Sequence, residues 1–232
     1  MTYYPIFLEL KDRSCLVVGG GEIAQRKVEG LVAGGATVTV IAPKLTRELQ
    51  HMLADGEINC VQREYEEGDL EGYDMCMVAT DDGAVNAQVF AEGRRQRVWV
   101  NASDDPDNCD FILPSVMRRG SITIAASTGG GSPALARRLR EELQAFFTEE
   151  MPALADLLGE VRDDLRSRGI VPDAEVWQEA IDEELRVLLA QRKYRGAKAR
   201  LLESLGAGEL VDELVGAKRG WAVSTSAGAK GS

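Results

Sequence analysis

Short apolar runs alternate with helically spaced segments along the first hundred residues. The runs are bounded by glycine, proline or polar residues and are rich in valine and isoleucine, which predicts buried strands. These predicted strands cover residues 14–18, 36–42, 58–62, 73–79 and 97–101. Between them, apolar residues among charged ones predict helices over residues 22–32, 46–55 and 83–96. This alternation is typical of βαβ units around a parallel sheet.

The pattern changes after Asn101. Residues 111–114 and 121–126 predict two strands with no helix between them, separated by the basic residues Arg118 and Arg119. We expect a hairpin or a crossing pair outside the parallel sheet. From about Ala134 onward the leucine spacing predicts helices only, and residues 222–232 have the composition of a disordered tail.

A glycine-rich turn follows the first predicted strand. Residues 19–24 (GGGEIA) fit the pattern G-x-G-x-x-G/A and open the first helix. In this pattern Gly19 permits the tight turn, Gly21 lets the backbone approach a pyrophosphate, and Ala24 allows close packing of helix and strand. A glycine turn without a ligand is the alternative, but the βαβ context favours dinucleotide binding.

The end of the second strand leaves the type of dinucleotide open. Its residues 41–44 (IAPK) lack the acidic side chain that usually binds the ribose hydroxyls of NAD. Backbone atoms around Pro43 could bind the ribose instead, or Lys44 could attract the 2′-phosphate of NADP. These residues alone do not separate the two cofactors.

Two further strand ends carry polar residues. After residues 73–79, Thr80 and Asp81 lie where ligands of such sheets bind, although Asp81 or Asp82 could instead cap the next helix. After residues 97–101, Asp104 could act as a general base or a metal ligand. The alternative for the segment around Asp104 is a simple turn before Pro106.

A second glycine-rich loop, residues 127–133 (STGGGSP), leads into a helix. Ser132 suits the N-cap and Pro133 the first helical position. The loop could bind an anion, and nearby arginines could bind a polycarboxylate. A solvated basic helix face is an equally good interpretation of those arginines.

Composition narrows the class of protein. The chain has 232 residues, a net charge of -11 and a pI near 4.8, which argues against a nucleic-acid-binding surface. No apolar run approaches the roughly 20 residues of a membrane span, and the N-terminus does not resemble an export signal. One histidine excludes a histidine-rich metal site, and four scattered cysteines indicate a reducing compartment. We therefore expect a cytoplasmic enzyme or small-molecule binder.

Five segments in this order make a family resemblance specific. They are residues 5–10 (PIFLEL), 17–27 (VVGGGEIAQRK), 79–82 (ATDD), 111–115 (FILPS) and 127–137 (STGGGSPALAR). Together they resemble the precorrin-2 dehydrogenase / sirohydrochlorin ferrochelatase family, the N-terminal part of siroheme synthase. The resemblance covers about residues 1–145. It implies NAD-dependent oxidation of precorrin-2 to sirohydrochlorin in siroheme biosynthesis, and in some members insertion of ferrous iron.

The resemblance also implies a domain plan and a set of site residues. The expected fold is α/β: a Rossmann-type parallel sheet domain (residues 1–113), a small dimerisation region (114–147) and a helical C-terminal domain (148–221). Asp104 corresponds to the family's catalytic aspartate and would contact the metal transiently in a chelatase. The expected cofactor contacts are Gly19, Gly21, Glu22, Ile23, Pro43, Lys44, Thr80 and Asp81. The expected substrate contacts are Asn101, Arg118, Ser127, Thr128 and Arg137.

The last two expectations concern the oligomeric state and a competing function. The predicted strands between residues 111 and 126 have no helical cover in the sequence, so we expect a homodimer that buries their apolar face. The competing function is an NAD(H)-sensing regulatory module without catalysis. Asp104 and the arginines favour the enzyme, because a sensor needs no proton acceptor beside the nicotinamide.

Overall fold

The structure is a computed structural model that describes residues 3–216. The chain divides into two compact units. The first extends to Leu113 and includes Gly129–Gly131, and the second comprises Pro114–Thr128 and the described residues from Ser132 onward. The predicted tail, residues 222–232, and the end of the predicted helical domain lie outside the described residues.

The first unit contains a five-stranded parallel sheet, which confirms the fold expected from the alternating pattern. Its strands are β1 (Ser14–Val18), β2 (Thr37–Ile41), β3 (Asn59–Val61), β4 (Met75–Val78) and β5 (Trp99–Ala102). The spatial order is β3-β2-β1-β4-β5. The order reverses beside β1, so the carboxyl ends of β1 and β4 flank the crevice where ligands of such sheets bind.

Three helices pack on the two faces of this sheet. They are α1 (Glu22–Ala33), α2 (Arg47–Ala54) and α3 (Gly83–Gln96). Successive residues of β1 point to opposite faces, so Val17 joins the core under Val28 of α1 while Leu16 joins the core under Val89 of α3. Because both faces are covered, β1 and β4 read as continuous apolar runs.

One strand boundary differs from the prediction. The run from residue 97 predicts a strand that begins at Arg97, but Arg97 ends α3 in the left-handed conformation with φ 62°. Its N–H group bonds to the carbonyl of Gly93, as a helix C-cap does. Only the residues from Trp99 onward pair with β4.

The second unit begins with an antiparallel hairpin of β6 (Ser115–Arg119) and β7 (Ile122–Ala126). The hairpin confirms one of the two predicted arrangements, but the strand predicted over residues 111–114 is wrong. Pro114 has no N–H group for a strand ladder, and pairing starts directly after it. The two basic residues therefore lie inside β6, and the turn falls at Gly120, whose φ is 56°.

Helices complete the second unit, as the leucine spacing predicts. They are α4 (Pro133–Phe146), α5 (Met151–Ser167), α6 (Ala174–Ala180), α7 (Glu183–Ala190), α8 (Tyr194–Ser204) and α9 (Val211–Gly216). Helix α4 packs on the hairpin. The later helices bury a leucine-rich core that includes Leu157, Leu165, Leu185 and Leu201. Within residues 3–216, none of the helices is long and apolar enough to cross a membrane.

Candidate functional site

The turn between β1 and α1 is tightly built. Gly19 has φ 118°, a conformation that L side chains rarely adopt, and its N–H group donates to the carbonyl of Ile41 at 2.9 Å. A Cβ at this position would lie 2.4 Å from the carbonyl oxygen of Ala79. The first glycine is therefore needed both for the turn and for the close approach of the chain after β4.

The middle glycine, which the motif treats as any residue, has the least space. A Cβ on Gly20 would lie 2.0 Å from the carbonyl oxygen of Lys44, and the carbonyl of Gly20 accepts from the N–H of Thr46 at 3.0 Å. This contact brings Pro43 and Lys44 against the glycine turn. Sequence reasoning missed Gly20, although its place within three consecutive glycines was an available signal.

Gly21 differs from its two neighbours because a Cβ there would meet no atom within 4 Å. Gly21 is also the N-cap of α1 and offers no side chain to the first N–H groups of the helix, whereas Thr46 caps α2 and Asp82 caps α3. Open space beside uncapped N–H groups at Glu22 and Ile23 fits a pyrophosphate, since a helix N-terminus attracts anions.

Asp81 and Asp82, which follow β4, differ in their contacts. The carboxylate of Asp82 accepts from the N–H groups of Ala84 at 2.8 Å and Val85 at 3.3 Å, so Asp82 is the cap of α3. The hydroxyl of Thr80 accepts from the N–H of Asp82 at 3.2 Å. Asp81 is exposed and is not the N-cap.

Asp104 lies just beyond β5, at the same edge of the sheet as the glycine turn. Ser103 ties this segment to β4, because its N–H and its hydroxyl both donate to the carbonyl of Val78 at 3.0 Å. Asp104 is exposed and has φ 56°, which is uncommon for a residue other than glycine. Such outliers cluster at functional sites.

Asp105 next to it has a structural role. Its carboxylate accepts from the side-chain amides of Asn86 at 3.3 Å and Asn108 at 2.8 Å. The turn before Pro106, which was the alternative for this segment, is therefore held by Asp105. The carboxylate of Asp104 is left at the tip of the loop.

Asn101 is buried, and both ends of its amide are bonded within the first unit. Its nitrogen donates to the carbonyl of Phe111 at 2.8 Å, and its oxygen accepts from the ammonium of Lys27 at 2.9 Å. Sequence reasoning missed Lys27. The available signal was its helical spacing from Ala24, which places a lysine next to the buried face of α1.

The remaining predicted residues, Arg118, Ser127, Thr128 and Arg137, belong to the second unit. The hydroxyl of Thr128 accepts from the N–H of Ser132 at 2.9 Å, and Ser132 caps α4, as predicted. Arg118 and Arg137 are exposed and form no ion pair within residues 3–216. By contrast, Arg138 and Arg140 pair with glutamates of their own helix.

The described residues contain no group of three or more histidine, cysteine, aspartate or glutamate side chains placed to hold a metal ion.

The sheet order, the glycine turn and the uncapped start of α1 define a dinucleotide-binding protein of the Rossmann type. Family models agree with this class and make it more specific. Residues 6–115 match an NAD(P)-binding family, and residues 119–145 match the family described as sirohaem biosynthesis protein central.

Known proteins similar to this chain cover both units. Siroheme synthase of Photorhabdus laumondii is 37% identical over 216 residues, which are 92% of this chain and 46% of that protein. Siroheme synthase of Methylococcus capsulatus is 39% identical over 211 residues, 89% of this chain and 44% of that protein. The chain thus spans about half the length of these curated relatives.

A solved structure matches over nearly its whole length. The protein described as SirC, precorrin-2 dehydrogenase, is 33% identical with a TM-score of 0.71, and the match covers 88% of this chain and 99% of that one. The chain belongs to the family of precorrin-2 dehydrogenases and the N-terminal part of siroheme synthases. The resemblance drawn from its five sequence segments is confirmed.

Proposed function

We propose that this chain oxidises precorrin-2 to sirohydrochlorin with NAD as the hydride acceptor. The observation that carries the proposal is the loop after β5, which sets Asp104 in a left-handed conformation at the same sheet edge as the glycine turn. Membership of the family and the match to SirC, precorrin-2 dehydrogenase, support the same reaction.

The chain's part in cofactor binding is to hold the two phosphates and the ribose. NAD supplies an acceptor for the hydride that leaves the substrate. The N–H groups of Glu22 and Ile23 bind the pyrophosphate in the space that Gly21 leaves open. Pro43 and Lys44, which Gly20 brings against the turn, contact the adenine ribose, and Thr80 and Asp81 line the other side of the crevice.

The oxidation removes one hydride and one proton from precorrin-2. Asp104 accepts the proton. The side chains of Ser103 and Asp105 on either side form hydrogen bonds within the fold, so they hold the loop while the carboxylate of Asp104 faces solvent. A carboxylate at an exposed loop tip can approach a bulky tetrapyrrole. The guanidinium groups of Arg118 and Arg137, which have no protein partner in the described chain, bind the carboxylates of the substrate.

A regulatory module that senses NAD(H) remains the competing hypothesis, and Asp104 discriminates between the two. A sensor has no use for a proton acceptor, so its signal would survive the loss of Asp104. The test is the absorbance of purified protein mixed with precorrin-2 and NAD. The spectrum of sirohydrochlorin should develop together with that of NADH, and protein that binds NAD without any turnover would contradict the enzyme.

Iron insertion stays a prediction of the family resemblance. In that step the metal is a substrate, and Asp104 would accept the pyrrole N–H protons. The same absorbance assay, repeated with sirohydrochlorin and ferrous or cobaltous ion, decides it. A metal-dependent change that disappears in Asp104→Ala supports a chelatase, and no change with either ion argues against one.

A homodimer is the assembly that we propose. Helix α4 covers part of the hairpin, so the reason first given, uncovered strands, is incomplete. However, α4 itself exposes an apolar stripe of Leu135, Leu139, Leu143 and Phe146, whose most exposed member is 77% accessible. A second copy would bury this stripe. Light scattering at micromolar concentration should give twice the monomer mass, and a monomer mass would count against the proposal.

A further inference from the structure

The ammonium of Lys27 lies in an unusual environment. It is half-buried and donates to the side-chain oxygen of Asn101 at 2.9 Å, yet no carboxylate of the described chain lies within ion-pair distance of it. Removing a cation from water without a paired anion is unfavourable. The hydrogen bond to Asn101 is the interaction that holds this ammonium in place.

The negative charge that acts on Lys27 comes from the loop after β5. Burial lowers the pKa of Lys27, and negative charge on Cys109, Asp104 and Cys76 opposes this lowering. Burial also raises the pKa of the Cys109 and Cys76 thiols, so both are neutral at pH 7. Asp104 is therefore the one carboxylate among these three groups.

Lys27 is also connected to this loop through hydrogen bonds. The amide of Asn101 links the ammonium of Lys27 to the carbonyl of Phe111, and so joins the two ends of the loop. The thiol of Cys109 adds a second tie, because it accepts from the N–H of Ala102 at 3.2 Å and donates to its carbonyl at 3.1 Å. Both ties enclose the segment that carries Asp104.

We propose that Lys27 is a positioning residue for Asp104, because its ammonium holds Asn101 at the base of the loop that carries Asp104. This inference rests on the proposed function. Through Asn101 the lysine keeps the loop in the conformation that presents Asp104.

Three substitutions separate the hydrogen bond from the charge. Lys27→Met removes both, Lys27→Gln keeps an N–H donor for Asn101 without the charge, and Lys27→Arg keeps both the charge and N–H donors. We expect Lys27→Met to lower kcat roughly 10- to 100-fold, the scale of a displaced catalytic group, with little change in KM or NAD affinity. Lys27→Arg should recover most of the rate. If Lys27→Met does not fold, Lys27→Ala, which also removes both, takes its place in every comparison.

A double-mutant cycle shows whether Lys27 acts through Asp104. In an Asp104→Asn background, Lys27→Met should cause no further loss of turnover, because the group that it positions is gone. A purely structural lysine would lower the rate by the same factor in both backgrounds. Equal factors in the two backgrounds would overturn the inference and leave the proposed function intact.

A second measurement does not depend on activity. Amide hydrogen exchange of residues 101–110 should accelerate in Lys27→Met, while exchange in α3 stays as in the wild type. Unchanged exchange in this loop would overturn the positioning role. If the wild-type protein fails to oxidise precorrin-2 but the loop loosens as expected, the proposed function fails and the structural coupling stands.

Discussion

In the helical unit the ammonium of Lys198 lies between Glu160 at 2.7 Å and Asp164 at 3.0 Å, whereas in the nucleotide-binding unit the ammonium of Lys27 meets only an amide oxygen. Burial lowers the pKa of Lys198, but hydrogen bonds to the two carboxylates outweigh it, and the pKa ends above its usual value. The pKa of Lys27 ends below its usual value because no such pair compensates its burial.

The difference separates a lysine that links two helices of a core from a lysine that we propose to position Asp104. Glu160 and Asp164 come from α5 and Lys198 from α8, so the triad joins two helices of one core. Lys27 joins α1 to the loop that carries Asp104, where the chain has uncapped N–H groups and a left-handed aspartate. Substitutions in the two units should therefore affect different quantities.

The largest effect is expected at Asp104. Asp104→Ala should lower turnover by roughly 10²- to 10⁴-fold, the range for loss of a general base, while NAD affinity hardly changes. Steady-state kinetics with precorrin-2 checks this. Asp107→Ala is the matched control, because Asp107 is an exposed carboxylate of the same loop. Wild-type turnover by the Asp104 variant would show that the proton leaves to water or to another group.

Asp105→Ala is a second comparison in the same loop. It should affect catalysis far less than Asp104→Ala, since the family pattern gives Asp105 no chemical role. The hydrogen bonds of Asp105 to Asn86 and Asn108 predict a loss of stability instead. A lower unfolding midpoint with most of the turnover retained is the expected result.

The glycine turn should come next in size of effect. Gly21→Val should leave the fold largely intact, since nothing lies within 4 Å of the new Cβ, but lower NAD affinity at least about tenfold by filling the space for the pyrophosphate. Titration with NAD measures it. Gly20→Ala is the contrasting variant, because its Cβ would overlap the backbone at Lys44 and destabilise the unit. Equal NAD affinity in folded Gly21→Val would exclude the assigned phosphate site.

Lys198→Met should change stability alone. The substitution leaves Glu160 and Asp164 close together without a cation. Because both carboxylates are partly exposed, we expect the free energy of unfolding to fall by about 2 kcal/mol, which is less than the loss for a fully buried pair. Urea unfolding measures this, and turnover with NAD should match the wild type. A Lys198→Met variant that is as stable as the wild type, or one with impaired turnover, would contradict the difference in role between Lys198 and Lys27.

The smallest effect concerns acid stability at Asp182. A hydrogen bond from Arg200, helped by one from the N–H of Leu185, holds the pKa of Asp182 below its ordinary 3.8. Its stabilisation is thus present above pH 3.8 and is lost as the pH falls through the lower native pKa. Asp182→Asn should therefore be less stable than the wild type at neutral pH, and the difference should vanish in acid. A difference that persists at low pH would mean that the charge is not its source.

Much of the fold could be predicted because the pattern is local. Continuous apolar runs identify strands buried on both faces, and helical spacing between them implies parallel connections. The strand before Pro114 was misplaced because Pro114 has no N–H group for a ladder, and Arg97 was assigned to a strand although it ends α3 in the left-handed conformation. Such a conformation is decided by neighbours that the pattern does not show.

The sequence by itself determined which residues are candidates for the chemistry: the glycine turn, Asp104 and the arginines are recognisable from residue type and order. Only the tertiary structure decided which of two adjacent aspartates has a structural role: Asp82 caps α3, and Asp105 bonds to side chains that hold its loop. It also revealed Gly20 and Lys27, whose partners lie 24 and 74 residues away along the chain. A contact between distant residues depends on the packing of the whole unit, which no local pattern of residue types contains.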